Sequence, residues 1–397
     1  MYGFSKFASG VLGARTPPTL LLAGGLLATA AANAAFGAST AFPLLALFWG
    51  LNGLLQGLGA PACARTLTAW YPESMRGTFW GFWTASNNVG GFAAPILAGT
   101  AARAFGWRAG MWAPAAVAAG VSIFVALFMK ESPEAAGYPP VSEPVPKLAP
   151  GSAAAAAAAG AAATAPKTPP VPKKTMMESL TQDCLRSPTV WLLALAYFFV
   201  YVVRQGVTSW FVFYLGARGV PNPAVAVSGL ELGGLVGSLS AGALSDALLR
   251  KAAAAGGRAG SLGIRVRVVI GYASLTAAAL AAVWALPTTA HPALVWVAVA
   301  GVGLTLYGPQ MLIGLCGAEA VPKPAVSAAQ GFLGWVSYLG AANAGVPLAA
   351  IVQARGWDAF FATLAACCGV VVLLLLPLVA APSYSQKEAR AAAGGAA

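Results

Sequence analysis

Apolar runs long enough to cross a lipid bilayer recur along most of this 397-residue chain. A spanning helix needs about 20 apolar residues, and the runs of that length are separated by Pro, Gly or charged residues. They predict ten helices, at 18–37, 43–66, 78–101, 108–129, 190–216, 224–244, 266–287, 293–317, 326–352 and 358–381. A shorter apolar run at 1–13 adds part of an eleventh span. The sequence therefore predicts an all-α, polytopic membrane protein.

The scarcity of charged residues supports a surface that faces lipid. Only 9% of the residues are charged and 58% are hydrophobic, whereas a soluble domain carries about 25% charged residues. The net charge of +12 comes from basic residues strung along short loops, whereas a nucleic-acid site gathers them on one face. We therefore expect a protein that contacts the lipid bilayer and binds no nucleic acid.

A proline- and alanine-rich stretch at 130–189 divides the chain. This composition is typical of a disordered linker. It predicts an N-terminal bundle at 1–129, incomplete at its start, and a C-terminal six-helix bundle at 190–381, with a tail at 382–397. Lys and Arg are in excess in the linker, the tail and alternate loops, and such an excess marks the cytosolic side. The linker and the C-terminus are therefore predicted to be cytosolic, in a membrane that the sequence does not identify.

The cysteines and the histidine offer no catalytic or metal site. The five cysteines lack CxxC spacing, and His291 is the only histidine. A zinc site or a Cys/His nucleophile needs several such residues at characteristic spacings. We therefore expect no metal, no cofactor and no enzymatic activity.

The two halves of the chain resemble each other. Trp83 and Pro95 lie 12 residues apart, as do Trp335 and Pro347, and a Gly-Trp pair follows each stretch, at 106–107 and 356–357. The second half shows six spans, and the first shows four and a fragment. If the halves are true repeats, one helix and part of another are missing before Met1.

Arg204 lies near the middle of a predicted span, where a charge costs about 2.5–3.5 kcal/mol. Tyr201, Gln205 and Thr208 share its helical face by their spacing. A guanidinium presents a fork of donors that fits phosphate or carboxylate oxygens. An anion site is the favoured interpretation, and a structural ion pair between helices is the alternative.

Other polar residues within apolar runs allow two interpretations each. Glu231 lies on the next helix, where it could pair with Arg204 or serve as a proton-coupling carboxylate. Lys6 could bind a ligand or lie in water at the chain terminus. Asn87 and Asn88 could hydrogen-bond a neighbouring helix or a ligand.

Longer motifs resemble the organophosphate:phosphate antiporter family of the major facilitator superfamily. They are YGFSKF, LNGLLQGLGAPACARTLTAWYPESMRG and WTASNNVGG in the first half, and FVYVVRQGVTSW, GLELGGLVGSLSAGALSD and YGPQMLIGL in the second. The resemblance covers nearly the whole chain except the linker and tail. It implies two helix bundles, with about 11 of 12 spans present, and exchange of an organic phosphate for inorganic phosphate by alternating access.

The resemblance also implies roles for individual residues. Arg204 and Lys6 match positions that bind phosphate. Glu231 matches an acidic residue of the interdomain salt-bridge network, and Arg15 and Asp246 match the loops that take part in the conformational change. The residues implied to line the cavity are Tyr2, Asn87, Tyr201, Gln205, Thr208, Tyr307 and Tyr338.

Departures from the family pattern bear on the substrate. Ser209 replaces an aspartate, Asn87 replaces the histidine of glycerol-phosphate carriers, and Ala14 replaces the loop aspartate of the first half. SGLELGGLVGS is closer to the glucose-6-phosphate translocase type, which favours a hexose phosphate. The resemblance implies a first helix, with an arginine, that this sequence does not include. A sugar-phosphate sensor of the same fold and an inactive truncated carrier are the alternatives, and we expect a monomer.

Overall fold

The computed structural model describes residues 2–12, 16–139, 141, 178–254 and 261–388. Within these ranges the chain is helical and contains no β-strand. The first half forms α1 (Tyr2–Leu12), α2 (Pro18–Ala38), α3 (Phe42–Leu55), α4 (Gly59–Trp70), α5 (Glu73–Phe105) and α6 (Trp107–Phe128). The second half forms α7 (Pro188–Ala217), α8 (Pro223–Ala254), α9 (Ser261–Ala285), α10 (Pro292–Glu319), α11 (Val326–Asn343) and α12 (Val346–Leu375). The predicted all-α membrane fold is confirmed.

Eight helical stretches of the described residues are long and apolar enough to cross a membrane. The sequence predicted ten spans, and two features explain the difference. One stretch, Lys323–Leu378, joins two of the predicted spans, which meet at Gly356. The other is α5, which has 33 residues and is long enough to span, but carries Asn87 and Asn88 at its centre. Within the stretch Phe42–Trp70, the 3₁₀ turn Gln56–Leu58 connects α3 to α4.

Gly106 and Gly356 give the internal repeat a structural counterpart. Gly106 has φ 89° and ψ 163°, and Gly356 has φ 75° and ψ −173°. This combination of positive φ and extended ψ is open essentially to glycine alone. Each glycine precedes a tryptophan, Trp107 or Trp357, that follows the turn. The two halves therefore use the same backbone turn at the same place in the repeat.

The two halves meet where backbones approach closely. A Cβ atom on Gly242 of α8 would lie 2.2 Å from the Gly77 carbonyl oxygen of α5. A Cβ atom on Gly81 would lie 2.8 Å from the Ser238 carbonyl oxygen. A separate contact between the halves joins α1 and α11, where Gly3 packs against Tyr338. Glycine at these crossings lets helices of opposite halves touch.

Parts of the predicted linker, loop and tail lie outside the described residues. These parts are Arg15, 140, 142–177 and 389–397. The flanks of the linker are ordered, with a 3₁₀ turn at Glu134–Ala136 and a π-helical turn at Ser179–Leu185. Leu180 and Cys184 of that π-helical turn are buried in the core of the second half. The ordered second half therefore begins about ten residues before the predicted boundary at 190.

Candidate functional site

Two cations from opposite halves flank a cluster of tyrosines. On α11, Tyr338 lies under the Lys6 ammonium, with Nζ 4.7 Å from the ring centroid. The Tyr338 ring is 5.4 Å from the Tyr201 ring of α7. The Arg204 guanidinium lies 5.8 Å from the centroid of Tyr201 and 5.5 Å from that of Tyr307 on α10. We call Lys6, Tyr201, Arg204, Tyr307 and Tyr338 the cation–tyrosine site.

Helix α7 positions the centre of this site. Tyr197, Tyr201 and Arg204 occupy positions i, i+4 and i+7, so one helical face carries all three. The rings of Tyr197 and Tyr201 meet edge to face, with centroids 4.9 Å apart. Aromatic faces attract cations through their quadrupole, and the attraction strengthens away from water. The tyrosines therefore hold the Arg204 guanidinium without neutralising its charge.

Arg204 keeps unused capacity to bind an anion. Its Nε atom is buried and has no hydrogen-bond partner among the described residues. No carboxylate of the described residues lies within 4.0 Å of its guanidinium nitrogens. A buried, unsatisfied charged donor is costly. A group that brings negative charge and oxygen acceptors would satisfy this donor.

Glu231 connects to Arg204 through Tyr307 rather than directly. The Tyr307 hydroxyl donates to Glu231 Oε1 at 2.9 Å, while the Tyr307 ring faces the guanidinium. The expected Arg204–Glu231 ion pair thus does not form in this structure, because Tyr307 lies between the two side chains and contacts both. The Glu231 carbonyl also accepts a hydrogen bond of 3.3 Å from Asn88 of α5, which links the two halves. A role of the Glu231 carboxylate in an interdomain salt bridge stays a prediction.

The other predicted residues have mixed surroundings. Gln205 donates to Ser209 at 2.9 Å, and the Thr208 hydroxyl donates to the Arg204 carbonyl at 2.8 Å, so both bonds stay within α7. Asn87 is exposed, whereas its neighbour Asn88 is buried. The Tyr2 side chain and the whole of Arg15 lie outside the described residues. In the described part of the chain, no group of three metal-ligating side chains comes together.

Asp246 holds the start of α5 at the end of the molecule where α8 ends and α9 begins. Its carboxylate accepts hydrogen bonds from the backbone N–H groups of Gly77 at 3.0 Å and Thr78 at 2.6 Å. The Thr78 hydroxyl adds a third, at 2.7 Å. Negative charge near a helix N-terminus is favourable because the helix dipole is positive there. The loop residue predicted from the resemblance thus fastens the second half to the first.

Arg265 is the centre of a buried charge cluster beside Asp246. It is fully buried, pairs with Asp246 at 2.9 Å and Glu319 at 2.8 Å, and donates to the Glu73 carbonyl. Arg76 lies 3.7 Å from the Glu73 carboxylate and 4.0 Å from that of Glu319. We call Glu73, Arg76, Asp246, Arg265 and Glu319 the gate cluster. It joins α5 of the first half to α8, α9 and α10 of the second.

The tail after α12 covers the gate cluster. Ser383 donates to Glu73 Oε2 at 3.1 Å, and Ser385 donates to the other Glu73 oxygen. Ser261, at the start of α9, donates to Glu73 Oε2 at 3.1 Å. The Gln386 side chain accepts hydrogen bonds from the backbone of Ser261 and Ser383. Glu73 therefore binds two segments of the second half through hydroxyl groups.

Sequence reasoning found Asp246 but missed the other four members of the gate cluster. Arg265 and Glu319 lie at the ends of apolar runs, where charges usually mark the exit of a helix from the membrane. Glu73 and Arg76 lie in a short connection between two spans. The signal that could have found them is the occurrence of both positive and negative residues at helix ends on the same side of the membrane.

Comparisons with known proteins give this geometry a family. Residues 1–344 match the Major Facilitator Superfamily. A probable hexose phosphate transport protein of Chlamydia trachomatis is 36% identical over 369 residues, which cover 92% of this chain and 77% of that protein. The membrane sensor protein UhpC of Escherichia coli is 36% identical over 381 residues, which cover 95% and 81%. The crystal structure of the transporter FucP in the outward conformation has a TM-score of 0.63 at 13% identity, covering 94% of this chain and 86% of that one, and shows the shared fold.

Proposed function

The chain belongs to the Major Facilitator Superfamily, and on this premise we propose that it exchanges an organic phosphate for inorganic phosphate across a membrane. A hexose phosphate such as glucose 6-phosphate is the favoured organic substrate. The observation that carries the proposal is Arg204, a half-buried arginine whose Nε atom is buried and unsatisfied, with no carboxylate within 4.0 Å among the described residues. Phosphate supplies both the charge and the oxygens that this group lacks.

The proposed mechanism is alternating access with phosphate bound between the halves. Arg204 belongs to the second half and Lys6 to the first. One phosphate group that contacts both cations favours the state in which α1 and α7 lie close together. A ligand can shift the two conformations only through its different affinity for them. Bound phosphate therefore stabilises the closed intermediate through which the carrier changes the side it opens to. The empty carrier reorients slowly, so substrate crosses the membrane only in exchange for phosphate.

The mechanism also requires contacts that close one side of the carrier, and the gate cluster provides them. In the present conformation it joins α5 to α8, α9 and α10. Opening this end of the molecule requires separating Asp246 from α5 and Arg265 from the Glu73 carbonyl. We propose that these contacts close the cytosolic side, and that substrate binding offsets the cost of breaking them.

A sensor that binds a sugar phosphate without transporting it is the second candidate. It is favoured by the 36% identity to the membrane sensor protein UhpC. The same cation–tyrosine site would serve either function, because binding the phosphate is common to both. The two functions differ in whether binding is followed by movement of a counter-substrate.

The experiment that tests the proposal uses the purified protein in liposomes loaded with inorganic phosphate. We expect external labelled glucose 6-phosphate to accumulate in these vesicles and not in vesicles loaded with chloride. Binding of glucose 6-phosphate in detergent without such uptake would establish the sensor instead. Uptake that does not depend on internal phosphate would contradict exchange.

We propose a multi-pass carrier that acts as a monomer, since the cation–tyrosine site and the gate cluster are both assembled within one chain. The linker and the C-terminal tail lie in the cytosol under this proposal. Transport by alternating access makes and breaks no covalent bond, so no enzymatic step and no cofactor enters it.

Tyr307→Phe is expected to slow exchange by about tenfold while leaving the fold intact. The substitution keeps the aromatic ring beside Arg204 but removes the hydroxyl that donates to Glu231. Glu231 then loses a hydrogen bond worth about 1.5–3 kcal/mol to a charged acceptor and is free to pair with Arg204 in competition with phosphate. The measurement is the rate of phosphate self-exchange in liposomes.

Tyr272→Phe is the matched control for this variant. The Tyr272 hydroxyl makes a hydrogen bond of 2.9 Å with Ser240, between α9 and α8 and outside the cation–tyrosine site. Exchange in Tyr272→Phe is expected to stay within about twofold of the unmodified protein. Equal losses in the two variants would show that the effect of Tyr307→Phe is structural.

A further inference from the structure

Three polar side-chain atoms converge on an empty position beside Gly314 of α10. A Cβ atom added to Gly314 would lie 3.5 Å from Trp80 Nε1, 3.7 Å from the Tyr197 hydroxyl and 3.8 Å from Gln330 Oε1. These residues come from α5, α7 and α11, so both halves of the molecule contribute. At these ordinary contact distances the position can hold one small group.

The donors and acceptors around this position are partly unused. The Gln330 amide nitrogen donates to the Gly314 carbonyl at 2.7 Å, which fixes the amide and leaves Oε1 as the free acceptor. Within the described residues, neither Trp80 Nε1 nor Gln330 Oε1 has a hydrogen-bond partner. Trp80 is 2% exposed, and neither of the two atoms belongs to the fully enclosed polar atoms of the described residues that lack a partner, so a small polar group can reach both. An indole N–H can only donate and the amide oxygen can only accept.

A hydroxyl group satisfies these requirements. It donates its one proton to Gln330 Oε1 and accepts hydrogen bonds from Trp80 Nε1 and the Tyr197 hydroxyl. We infer that the Gly314 pocket, formed by Trp80, Tyr197, Gly314 and Gln330, binds a sugar hydroxyl of the transported organic phosphate. The inference rests on the proposed function, and it makes these residues determinants of which organic phosphate is carried.

The Gly314 pocket is placed to act together with the phosphate site. Tyr197 and Arg204 share one face of α7 and are seven residues apart, which is a rise of about 10 Å along the helix. Tyr201 lies between them and contacts both. A ligand with its phosphate at Arg204 reaches the pocket only if it carries hydroxyls several bonds away. A hexose phosphate meets this condition better than a three-carbon phosphate, and inorganic phosphate does not meet it.

The test is Gly314→Ala, measured by two exchange reactions in liposomes. The added methyl group lies at ordinary contact distance from its neighbours, so the variant is expected to fold. It fills the space that the hydroxyl occupies. We expect the half-saturating concentration of glucose 6-phosphate to rise by about tenfold or more, while phosphate self-exchange stays within about twofold.

Two further variants complete the test. Gly301→Ala, on the same helix but with no atom within 4 Å of the added methyl, is the control and is expected to change neither reaction. Trp80→Phe removes the donor and is expected to reproduce the selective loss. Equal effects of Gly314→Ala on both reactions, or no effect on either, would overturn the inference.

A protein that does not carry out the proposed exchange gives a different set of results. If the unmodified protein exchanges nothing, direct titration of glucose 6-phosphate in detergent still tests the Gly314 pocket. Weaker glucose 6-phosphate binding in Gly314→Ala than in Gly301→Ala, with equal binding of inorganic phosphate, then supports it. Equal glucose 6-phosphate binding in the two variants would overturn it, and this outcome would hold for a sensor as well as for a carrier.

Discussion

Arg204→Ala is expected to abolish phosphate exchange, lowering its rate by at least about 100-fold. A guanidinium binds phosphate through two charge-assisted hydrogen bonds, and each of them contributes about 1.5–3 kcal/mol to the binding free energy. Alanine provides neither bond and no charge. Lysine restores the charge but not the fork of donors, so Arg204→Lys is expected to recover only a small part of the activity. The measurement is phosphate self-exchange in liposomes at matched protein content.

The same substitution is expected to leave the protein well folded. Among the described residues no carboxylate pairs with Arg204, and its contacts are with tyrosine rings. Removing it therefore leaves no buried carboxylate unpaired. The thermal midpoint in detergent is expected to change little, which separates loss of function from loss of fold. Arg355→Ala, an exposed arginine of the same half, is the control and is expected to exchange normally. Near-normal exchange by Arg204→Ala would contradict the phosphate site.

Arg265→Met is expected to cause a large loss of stability. It leaves the buried carboxylates of Asp246 and Glu319 without the cation that both contact. Removing one partner of a buried ion pair costs about 3–5 kcal/mol because the remaining charge is uncompensated. The measurement is the thermal midpoint of the purified protein in detergent, which is expected to fall steeply.

Arg267→Met is the matched control for Arg265→Met. Arg267 lies two residues further along α9, is exposed, and donates to the Val379 carbonyl at 3.2 Å. Its substitution is expected to change the thermal midpoint little. Adding Glu319→Gln to Arg265→Met is expected to recover part of the lost stability, because the double variant has one fewer unpaired carboxylate. Equal losses for Arg265→Met and Arg267→Met would show that the gate cluster contributes no special stability.

The sequence predicts the membrane fold and the principal cation because both leave local signals. Apolar runs of spanning length depend on composition alone, and the ends of most helices lie within a few residues of the predicted ones. Arg204 is conspicuous because charge is rare inside such runs. The Gly-Trp turns at Gly106 and Gly356 are conspicuous because the repeat places them identically.

The remaining features depend on contacts between residues that are distant in the sequence. The Arg265–Glu319 pair joins two helices, and the Glu73 carbonyl comes from the other half. The placement of Tyr307 between Arg204 and Glu231 depends on side-chain conformations, which the spacing of apolar residues does not predict. Gly314 is one of 47 glycines, and its sequence neighbours give no sign that three polar atoms surround it.

The most direct test of the account is a structure determined with inorganic phosphate bound. We expect the phosphate group between α1 and α7, with its oxygens within hydrogen-bond distance of both the Arg204 guanidinium and the Lys6 ammonium. The Arg204 Nε atom, which lacks a partner in the present structure, is expected to donate to one of these oxygens. Phosphate bound elsewhere, with Arg204 still resting on Tyr201 and Tyr307, would contradict the central claim.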